Sequence, residues 1–526
     1  MRIVGRTPHP SALSAARRAR ELDALATGGD IDLLVIGGGI TGAGIALDAA
    51  SRGLRVVLVE RHDLAHGTSR WSSKLAHGGL RYLATGQFGI AHESAVERHL
   101  LMTRLAPHLT RPLGQVLPLY APGHLARGVW VGLGYGLGDG LRRFVGTPDA
   151  VLHAPRAIGR EEALRLAPAL SADGLRGGMR GWDGQLIDDA RLVVAAARTA
   201  AGYGASILTR VSAVSATGDS ARLRDELTGQ EVDVRARAVL SATGVWAGEL
   251  DPGARLRPSR GTHLVVESSR LGGSEASLTV PVPGSSSRFV FTVPSVHGRT
   301  YIGLTDVPAS LPIPDVPHAT DDEIDMLLAT ANTVLREPLE RADVIATFAG
   351  LRPLLDGGGR DGETSDLSRR HAVLTSDDGV LSVVGGKLTT YRRMAQDGVD
   401  AAVRARFAAS AVPESRTRAI PLVGAWPRHR LAEIQAPARL VRRYGAEAPF
   451  VLARPDGPAA ARGVTAQELQ WGVEIEGALT IGDLLDRRTR LGLVPADAEE
   501  SMDAAAAAFE RAGLAPVEDR DVVPGR

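Results

Sequence analysis

The strongest constraint on this chain is a glycine turn that joins an apolar run to a helix-compatible segment. Residues 33–36 read Leu-Leu-Val-Ile, which predicts a short buried parallel strand. Gly37, Gly39 and Gly42 follow at G-x-G-x-x-G spacing. At this spacing the first glycine allows a tight turn, the second lets the backbone approach a pyrophosphate, and the third lets the next helix pack close to the strand. The pattern predicts a dinucleotide-binding turn.

The residues after this turn complete the expected unit. Residues 40–51 are mostly small or apolar and contain no proline, so a helix can begin there and direct its first N–H groups at phosphates. Residues 55–59 predict a second strand, which ends at Glu60, 18 residues after Gly42. A carboxylate at that point accepts hydrogen bonds from an unphosphorylated adenosine ribose. The unit is typical of NAD or FAD binding and does not by itself choose between them.

Composition and charge narrow the class of protein. The 526 residues are enough for roughly two to four domains. Lys and Arg number 61 against 60 Asp and Glu, a formal charge of +1, so no basic field favours nucleic acid as a partner. The absence of cysteine excludes disulfides, cysteine-ligated metals, a thiolate nucleophile and a cofactor tethered through cysteine. No metal site is predicted.

Neither terminal nor internal segments predict insertion into a membrane. Residues 1–30 contain basic residues but no continuous apolar core of signal-peptide length, which predicts an N-terminal extension of a cytoplasmic protein. Residues 128–138 are the most apolar later stretch, and they are too short and too rich in glycine to span a bilayer. Membrane contact, at the inner face of the cell membrane, is therefore predicted to be peripheral.

Residues 62–84 are rich in Gly, Ser, Thr and His, and they follow the strand that ends at Glu60. In a doubly wound sheet, ligands gather beyond the carboxyl ends of the strands. Hydroxyl and ammonium groups here could donate to phosphates, and paired glycines let backbone pass close to a planar ring. The candidate ligand-binding residues of this segment are Ser72, Ser73, Lys74, Gly78, Gly79, Arg81 and Tyr82. On composition alone, the alternative is a solvated loop.

Two later segments are predicted to return to the same sheet. Residues 238–244 form a buried-strand run that closes on glycine. Residues 381–394 repeat the opening arrangement: an apolar strand, Gly385 and Gly386, then a helix that begins near Lys387. A second helix N-terminus of this kind would stabilise a redox ring that gains negative charge on reduction. One nucleotide needs two such sites only if it is long and carries a reactive ring, which favours FAD over NAD.

A second layer is predicted from shorter strands joined by Gly, Pro and Ser turns. Residues 260–266, 287–293 and 300–304 predict antiparallel strands. His263 lies within the first of them and is either a satisfied structural group or a site residue. Arg352 lies in an apolar run, where a guanidinium requires an anion, which is either a ligand or the partner in an interdomain salt bridge.

Three further segments are predicted to have structural roles. Asp188 and Asp189 precede an apolar helix and are predicted to cap its N-terminus. Residues 411–425 contain proline and predict a linker, after which the pattern is helical. The basic cluster at 487–490, Arg-Arg-Thr-Arg, is predicted to be a solvated surface or an interface.

Taken in order, these motifs resemble the FAD-dependent glycerol-3-phosphate dehydrogenases, a branch of the FAD-dependent amine and 2-hydroxy-acid oxidoreductases. The resemblance extends from about residue 32 into the C-terminal helical region. Its most specific parts are IGGGITGAG (36–44), TSRWSSKLAHGGLRYL (68–83), DDARLV (188–193), RGTHLVV (260–266), IGLTDV (302–307), GLRPL (350–354) and GGKLTTYR (385–392).

This resemblance implies the fold class α/β + α. An FAD-binding Rossmann-like domain of the glutathione-reductase type would be interleaved with an antiparallel-sheet substrate domain and followed by a C-terminal helical domain. The implied divisions are an N-terminal extension (1–30), the oxidoreductase region (31–405, with FAD-binding segments at about 31–110, 185–250 and 375–405), a linker (406–425) and a helical accessory domain (426–526).

The resemblance also implies an activity. Noncovalent FAD would take a hydride at flavin N5 from C2 of sn-glycerol 3-phosphate, giving dihydroxyacetone phosphate, and the electrons would pass to a membrane quinone. A homodimer and peripheral membrane contact are implied with it. The basic cluster at 487–490 would contribute to that contact through anionic lipid.

The implied site residues follow from the matching motifs. His263, Arg352 and Lys387 would be catalytic, and the substrate would be surrounded by Arg81, Tyr82, His263, Thr305, Arg352, Arg369 and Lys387. The arginines would hold the phosphate, while His263 or a neighbouring basic group would take the hydroxyl proton. Arg370 stands where the family pattern has a different, often acidic, residue, so either Arg369 or Arg370 would face the substrate. The predicted cofactor-binding residues are Gly37, Gly39, Ile40, Thr41, Gly42, Glu60, Arg61, Thr68, Ser69, Ser72, Ser73, Lys74, Leu75, His77, Gly78, Gly79, Val211, Ala242, Thr243, Gly244, Gly386, Lys387, Leu388 and Thr389.

Three alternatives stay open at this point. The same substrate could be oxidised with O2 as the electron acceptor, because access to the reduced flavin decides the acceptor. An amine or amino-acid oxidase would need a carboxylate-binding pocket and would not respond to phosphate esters. A non-catalytic FAD-binding assembly or sensor protein would bind flavin without substrate-dependent bleaching, and would have no need of a phosphate pocket.

Overall fold

The structure is a computed structural model that describes residues 9–79, 86–121, 124–251, 253–285, 288–309, 312–355, 370–408 and 412–518. Its strands are β1 (Ile31–Ile36), β2 (Val56–Glu60), β3 (Leu75–Ala76), β4 (Thr110–Tyr120), β5 (Arg156–Gly159), β6 (Leu175–Leu186), β7 (Ser206–Thr209), β8 (Val211–Ala216), β9 (Ser220–Asp225), β10 (Glu231–Ser241), β11 (Ser259–Glu267), β12 (Ser277–Pro281), β13 (Phe289–Pro294), β14 (Arg299–Gly303), β15 (Val307–Pro308), β16 (Val344–Arg352), β17 (His371–Thr375) and β18 (Leu381–Gly385).

The described α-helices are α1 (Ala15–Ala26), α2 (Ile40–Ser51), α3 (Phe88–Leu100), α4 (His124–Phe144), α5 (Arg160–Leu166), α6 (Asp189–Gly202), α7 (Ala247–Leu250), α8 (Asp321–Asn332), α9 (Tyr391–Arg406), α10 (Arg428–Ala432), α11 (Ala438–Tyr444), α12 (Ala448–Leu452), α13 (Ala466–Glu474), α14 (Pro495–Glu500) and α15 (Met502–Arg511). Within the described segments, no helix combines the length and the apolar character needed to cross a bilayer.

The first sheet carries the glycine turn. Its strands run in the order β17-β18-β10-β1-β2-β7, and all neighbours are parallel except β17 and β18. The predicted return strands therefore lie beside the opening strand, because β10 pairs with β1 and β18 pairs with β10. Helices α6 and α9 pack against α2, which buries the mostly apolar α2 between them. The predicted strand–turn–helix–strand unit is confirmed as β1, α2 and β2.

The second sheet forms a separate layer with ten strands. Its main order is β15-β11-β14-β13-β12-β4-β6-β3, with β16 added to β11 and β5 added to β6. The three predicted strands of this layer, β11, β13 and β14, are antiparallel to their neighbours in it, as expected. In this arrangement His263 lies opposite both Gly303 of β14 and Phe348 of β16. The chain between β2 and β3 connects the two sheets, so residues 61–74 pass from one sheet to the other.

The C-terminal helices form the third part of the fold. Helix α13 packs on α15, with Leu469 and Phe509 buried in their shared core. Between α9 and α10 the described residues 412–427 form no helix or strand, yet Ile420 and Leu422 are buried in the core of the first layer. A mixed two-sheet oxidoreductase fold with a C-terminal helical region is the predicted fold class, and the architecture agrees with it.

The glycine turn after β1 leaves no room for side chains. Gly37 has a φ of +111°, and a Cβ placed on it would lie 2.7 Å from the Ala242 carbonyl oxygen. A Cβ on Gly42 would lie 1.8 Å from the Gly37 carbonyl oxygen. Because real Cβ atoms do not approach oxygen so closely, α2 can begin at this depth only with glycine at both positions.

We expect Gly42→Ala to push α2 away from the turn, with loss of bound FAD and a lower midpoint of thermal unfolding. Flavin absorbance per protein and differential scanning calorimetry measure both effects. The matched control is Gly134→Ala in the exposed part of α4, where a Cβ meets no atom within 4 Å. That change should retain FAD and stabilise the fold by about 0.5–1 kcal/mol. Wild-type FAD occupancy in Gly42→Ala would contradict the steric argument.

Candidate active site

A cavity of about 570 Å³ lies where the two sheets meet. One part of its wall comes from the turn after β1, the end of β2 and the residues after β10. The other part comes from β11, β16 and the glycine pair after β18. The cavity therefore extends from the nucleotide-binding turn of the first sheet to basic residues of the second sheet.

The nucleotide end of the cavity is built around the N-terminus of α2. Gly39 is the N-cap and supplies no side chain to the first N–H groups, while the Ser69 hydroxyl accepts a hydrogen bond from the Ile40 N–H at 2.9 Å. The Glu60 carboxylate accepts hydrogen bonds from the backbone N–H groups of Gly38 (2.6 Å) and His62 (2.8 Å). An open helix N-terminus beside an oriented carboxylate fits a pyrophosphate and a ribose.

The glycine pair after β18 brings a second helix N-terminus to the same cavity. Gly385 and Gly386 both have a φ of +77°, and Lys387, Leu388 and Thr389 then line the cavity before α9 begins. The Lys387 ammonium donates a hydrogen bond to the Ser94 hydroxyl of α3 at 3.0 Å. Two helix N-termini along one cavity fit a long cofactor whose pyrophosphate lies at one end and whose ring lies at the other.

His263 lies at the second-sheet end and is held by two contacts. Its Nε2 is 2.9 Å from the Ser73 hydroxyl, and its ring stacks on Phe348 with 4.5 Å between ring centroids. Within the described residues, Nδ1 has no hydrogen-bond partner. Burial, followed by the charges of Lys74 and Arg352, holds the pKa of His263 well below its usual value. The imidazole is therefore neutral, which is the form that can accept a proton.

Arg352 reaches the cavity from the end of β16. Its guanidinium donates to the Ser259 hydroxyl (3.0 Å), the Asp306 carboxylate (3.2 Å) and the Thr305 carbonyl (3.2 Å). These partners orient the fork while the side chain still lines the cavity. The Thr305 side chain itself is buried, and its hydroxyl donates to Glu323 at 2.7 Å. Arg352 can therefore bind an anion directly, whereas Thr305 acts on the cavity through its backbone.

Lys74 is not positioned to donate to a phosphate, although the sequence predicts that role. Its ammonium is fully buried and donates to the Asp189 carboxylate at 2.8 Å, and burial lowers its pKa to about 8. It also lies 4.9 Å from the centre of the Phe348 ring. The same Asp189 oxygen accepts hydrogen bonds from the Ser72 N–H and hydroxyl. Lys74 and Asp189 thus fix the segment that carries Ser72 and Ser73 and do not face the cavity.

Most predicted site residues line this one cavity. The residues that do so are Gly37, Gly39, Ile40, Thr41, Glu60, Arg61, Thr68, Ser69, Ser72, Ser73, Leu75, His77, Val211, Ala242, Thr243, Gly244, His263, Arg352, Gly386, Lys387, Leu388 and Thr389. Those placed behind its wall are Gly42, Lys74, Gly78, Gly79 and Thr305. Arg81, Tyr82 and Arg369 lie outside the described residues, and Arg370 is exposed beside the glycine pair.

Several functional residues were missed by the sequence reasoning. Trp71, Trp246, Leu304 and Met394 also line the cavity, and no spacing rule marks an apolar residue as a cavity wall. Asp189 was assigned only to helix capping. Asp188 and Asp189 both accept a hydrogen bond from the Ala190 N–H, at 3.0 and 2.9 Å, as predicted, but Asp189 also binds Lys74. Because one acid is enough to cap a helix, the second acid was the feature from which a further role for Asp189 could have been inferred.

The basic cluster at 487–490 is not a solvated surface, and the proposed lipid contact through it is wrong. Arg487, Arg488 and Arg490 are each no more than 2% exposed. Arg487 and Arg488 both donate to the Asp63 carboxylate, at 2.7 and 2.8 Å. Burial alone would raise the pKa of Asp63, but the guanidinium groups of Arg488 and Arg487 hold it below its usual range. The cluster is an internal interface with the cofactor-side loop, and its charges are not available to lipid.

Comparisons with known proteins agree with this architecture. A family model described as "FAD dependent oxidoreductase" matches residues 32–392, and one described as "C-terminal domain of alpha-glycerophosphate oxidase" matches residues 415–513. The Mycobacterium tuberculosis protein named glycerol-3-phosphate dehydrogenase 1 is 54% identical over 504 residues, covering 94% of this chain and 97% of that protein. The Mycobacterium leprae glycerol-3-phosphate dehydrogenase is 39% identical, with coverage of 92% and 84%.

Two solved flavoprotein structures are also similar to this chain. The Bacillus halodurans glycerol-3-phosphate dehydrogenase complexed with FAD superposes with a TM-score of 0.70 at 29% identity, covering 94% of this chain and 93% of that one. The Mycoplasma pneumoniae L-alpha-glycerophosphate oxidase is alike in fold, with a TM-score of 0.56 at 18% identity and coverage of 76% and 100%.

Fold and cavity together are those of an FAD-dependent oxidoreductase, which confirms the predicted fold class and the predicted cofactor. The sequence comparisons identify a narrower family within this class. The chain belongs to the FAD-dependent glycerol-3-phosphate dehydrogenase family.

We expect Asp63→Ala to lower the free energy of unfolding by about 3–5 kcal/mol, because it leaves two buried guanidinium groups without their shared carboxylate. It should also weaken FAD binding, since Asp63 lies in the loop that follows Glu60. Denaturant unfolding and FAD titration measure the two effects. The control is Asp233→Ala, which removes an exposed partner of Arg222 and should change neither quantity measurably. An unfolding midpoint unchanged in Asp63→Ala would contradict the assigned interface.

Proposed function

We propose that this enzyme oxidises sn-glycerol 3-phosphate at C2 to dihydroxyacetone phosphate and delivers the electrons to a membrane quinone. The observation that supports this most strongly is that a neutral histidine, His263, and two cationic side chains, Arg352 and Lys387, line the same cavity as the nucleotide turn. That set matches the substrate, whose C2 hydroxyl must lose a proton and whose phosphate dianion must be held. The names of the relatives support the same substrate. Bound FAD supplies the hydride acceptor, and without cysteine we propose that it is held noncovalently.

The phosphate is proposed to lie against Arg352, with Lys387 as the second cation. Arg352 is oriented by Asp306 and Ser259 before substrate arrives, so little side-chain entropy is lost on binding. A planar guanidinium also suits two phosphate oxygens at once. Arg81, Tyr82 and Arg369 are proposed to complete this end of the site, and their placement is open to test by substitution.

His263 is proposed to take the hydroxyl proton as the hydride leaves C2. Its depressed pKa keeps the imidazole unprotonated at neutral pH, so it is ready to accept a proton. The phosphate dianion of the substrate would raise that pKa, since a nearby negative charge favours the imidazolium. The Ser73 hydroxyl at 2.9 Å from Nε2 fixes the ring orientation. Binding of the substrate would therefore strengthen His263 as a base.

We expect Arg352→Ala to weaken binding of sn-glycerol 3-phosphate by about 10²- to 10³-fold, since loss of a charge-assisted contact costs about 3–4 kcal/mol. FAD occupancy should stay at the wild-type level. Anaerobic flavin reduction at rising substrate concentration measures the affinity. Arg341→Ala is the control, because that arginine is exposed and pairs only with surface acids. Wild-type affinity in Arg352→Ala would remove this residue from the phosphate site.

The quinone acceptor requires contact with a membrane, and one surface of the described residues fits that contact. Phe88 at the start of α3 and Leu133, Leu137 and Phe144 of α4 are each more than 60% exposed. The two helices are neighbours, since the Phe144 ring lies 5.8 Å from the ring of His92 in α3. Apolar side chains concentrated on adjacent helices are typical of a surface that enters the lipid interface. We propose that the enzyme binds the inner face of the cell membrane there, as a homodimer.

An oxidase that uses O2 is the second candidate function. The match of residues 415–513 to the C-terminal domain of alpha-glycerophosphate oxidase favours it. The two candidates predict different products from the same reduced enzyme. Stoichiometric hydrogen peroxide in air would support the oxidase, whereas rapid reduction of a quinone analogue with little peroxide would support the dehydrogenase.

The proposed homodimer is tested separately, by measuring the molar mass of the purified protein with light scattering.

We expect the triple variant Leu133→Ser/Leu137→Ser/Phe144→Ser to lose binding to lipid vesicles and to lose reduction of a quinone embedded in them. Reduction of a water-soluble dye should remain at the wild-type rate, because these side chains lie away from the cavity. Vesicle sedimentation and dye reduction measure the two effects. The control is Phe450→Ser, which removes an equally exposed aromatic side chain from the C-terminal helices. Equal loss of vesicle binding in that control would contradict the assigned surface.

A further inference from the structure

The described residues form a second cavity of about 190 Å³, separate from the active site, between the second sheet and α11. Its polar lining consists mainly of Arg111, Gln185, His297, Arg439, Arg442 and Arg443. We call this the arginine pocket. We propose that the arginine pocket binds a small soluble anion, with a phosphate or phosphate-like group held by the guanidinium groups.

The fold concentrates four guanidinium groups around this pocket. Arg439, Arg442 and Arg443 lie at positions i, i+3 and i+4 of α11, so they share one face of the helix. Arg111 approaches from β4 on the opposite wall, where its guanidinium donates to the Gln185 side chain at 2.8 Å and to the Pro294 carbonyl at 3.0 Å. The pocket is therefore walled by cations on two different elements.

The carboxylates of the described residues neutralise this charge only in part. Arg439 is paired with Glu468, and Arg443 lies 3.6 Å from Asp188, but neither Arg111 nor Arg442 has an acidic partner within 4 Å in the described chain. Burial lowers the pKa of Arg111, and the nearby charge of Arg442 lowers it further, against a smaller opposing effect of the Glu275 carboxylate. Like charges held together in this way are costly unless an anion joins them.

The deepest arginine has unused hydrogen-bonding capacity. Arg443 is 4% exposed, and among the described residues its Nε has no hydrogen-bond partner. Another of its nitrogens donates to the Arg488 carbonyl oxygen. His297 adds no charge to the pocket, since burial and Arg443 lower its pKa to about 4. An incoming anion would thus meet a buried cation at depth and the exposed Arg442 at the mouth.

Size and position define the class of ligand. The arginine pocket has one third of the volume of the active-site cavity, so it admits inorganic phosphate or a small phosphate ester but not a dinucleotide. Arg443 also lies 3.6 Å from Asp188, which adjoins the Asp189–Lys74 pair beneath the active site. The site is distinct from the proposed substrate site, because Arg352 and Lys387 line the other cavity.

The test is a calorimetric titration of holoenzyme with inorganic phosphate at constant ionic strength. It is carried out in an Arg352→Ala background, so that binding at the proposed substrate site does not contribute. We expect one remaining phosphate site, and a loss of affinity of at least tenfold on adding Arg442→Gln or Arg111→Gln. Arg442 is exposed and serves as the variant that leaves folding intact, and Arg341→Gln is the charge-matched control. The readout is anion binding and not turnover, so it is independent of the proposed substrate.

Two results would overturn the proposal. One is phosphate affinity that is unchanged by Arg442→Gln and Arg111→Gln. The other is absence of phosphate binding together with arginine-dependent binding to vesicles of anionic lipid, which would assign the pocket to a lipid headgroup instead of a soluble anion.

Discussion

The fold depends first on the close approach of two backbone segments at the turn after β1. A Cβ at Gly42 would lie 1.8 Å from the Gly37 carbonyl, and one at Gly37 would lie 2.7 Å from Ala242. Without side chains there, α2 can start directly behind β1, with β10 alongside. The open N-terminus of α2 then faces the cavity, and the residues after β10 and β18 reach the cavity from the same sheet. The steric constraint at Gly37 and Gly42 thus sets the orientation of the nucleotide end of the cavity.

A second dependence is electrostatic and links distant parts of the chain. Asp63 lies just beyond β2, and its carboxylate joins Arg487 and Arg488, more than 420 residues later. Arg490 continues the link by donating to the Arg70 carbonyl at 3.0 Å. Because these groups are buried, removing one charge leaves the others unpaired in a low-dielectric interior. The C-terminal helices therefore act as a support for the loop that carries Thr68, Ser69 and Ser73, not as an independent appendage.

The sequence allowed the strand–turn–helix unit, the second glycine pair and His263 to be predicted, because each depends on local spacing or on a motif. It did not allow the burial of Lys74 or of the arginines at 487–490 to be predicted. Their surroundings come from residues far away in the chain, and no local pattern distinguishes a buried arginine cluster from an exposed one. Phe348 illustrates the same limit, since its stacking on His263 arises from the pairing of β16 with β11.

We propose that one cavity holds both the flavin and a hydroxylated phosphate ester in reacting contact. Anaerobic titration of the purified holoenzyme with sn-glycerol 3-phosphate, followed by flavin absorbance, tests it most directly. The account predicts bleaching of the flavin band, with no bleaching by glycerol at the same concentration, because glycerol lacks the group that Arg352 would bind. A flavin band that persists in the presence of sn-glycerol 3-phosphate, or that bleaches equally with glycerol, would contradict it.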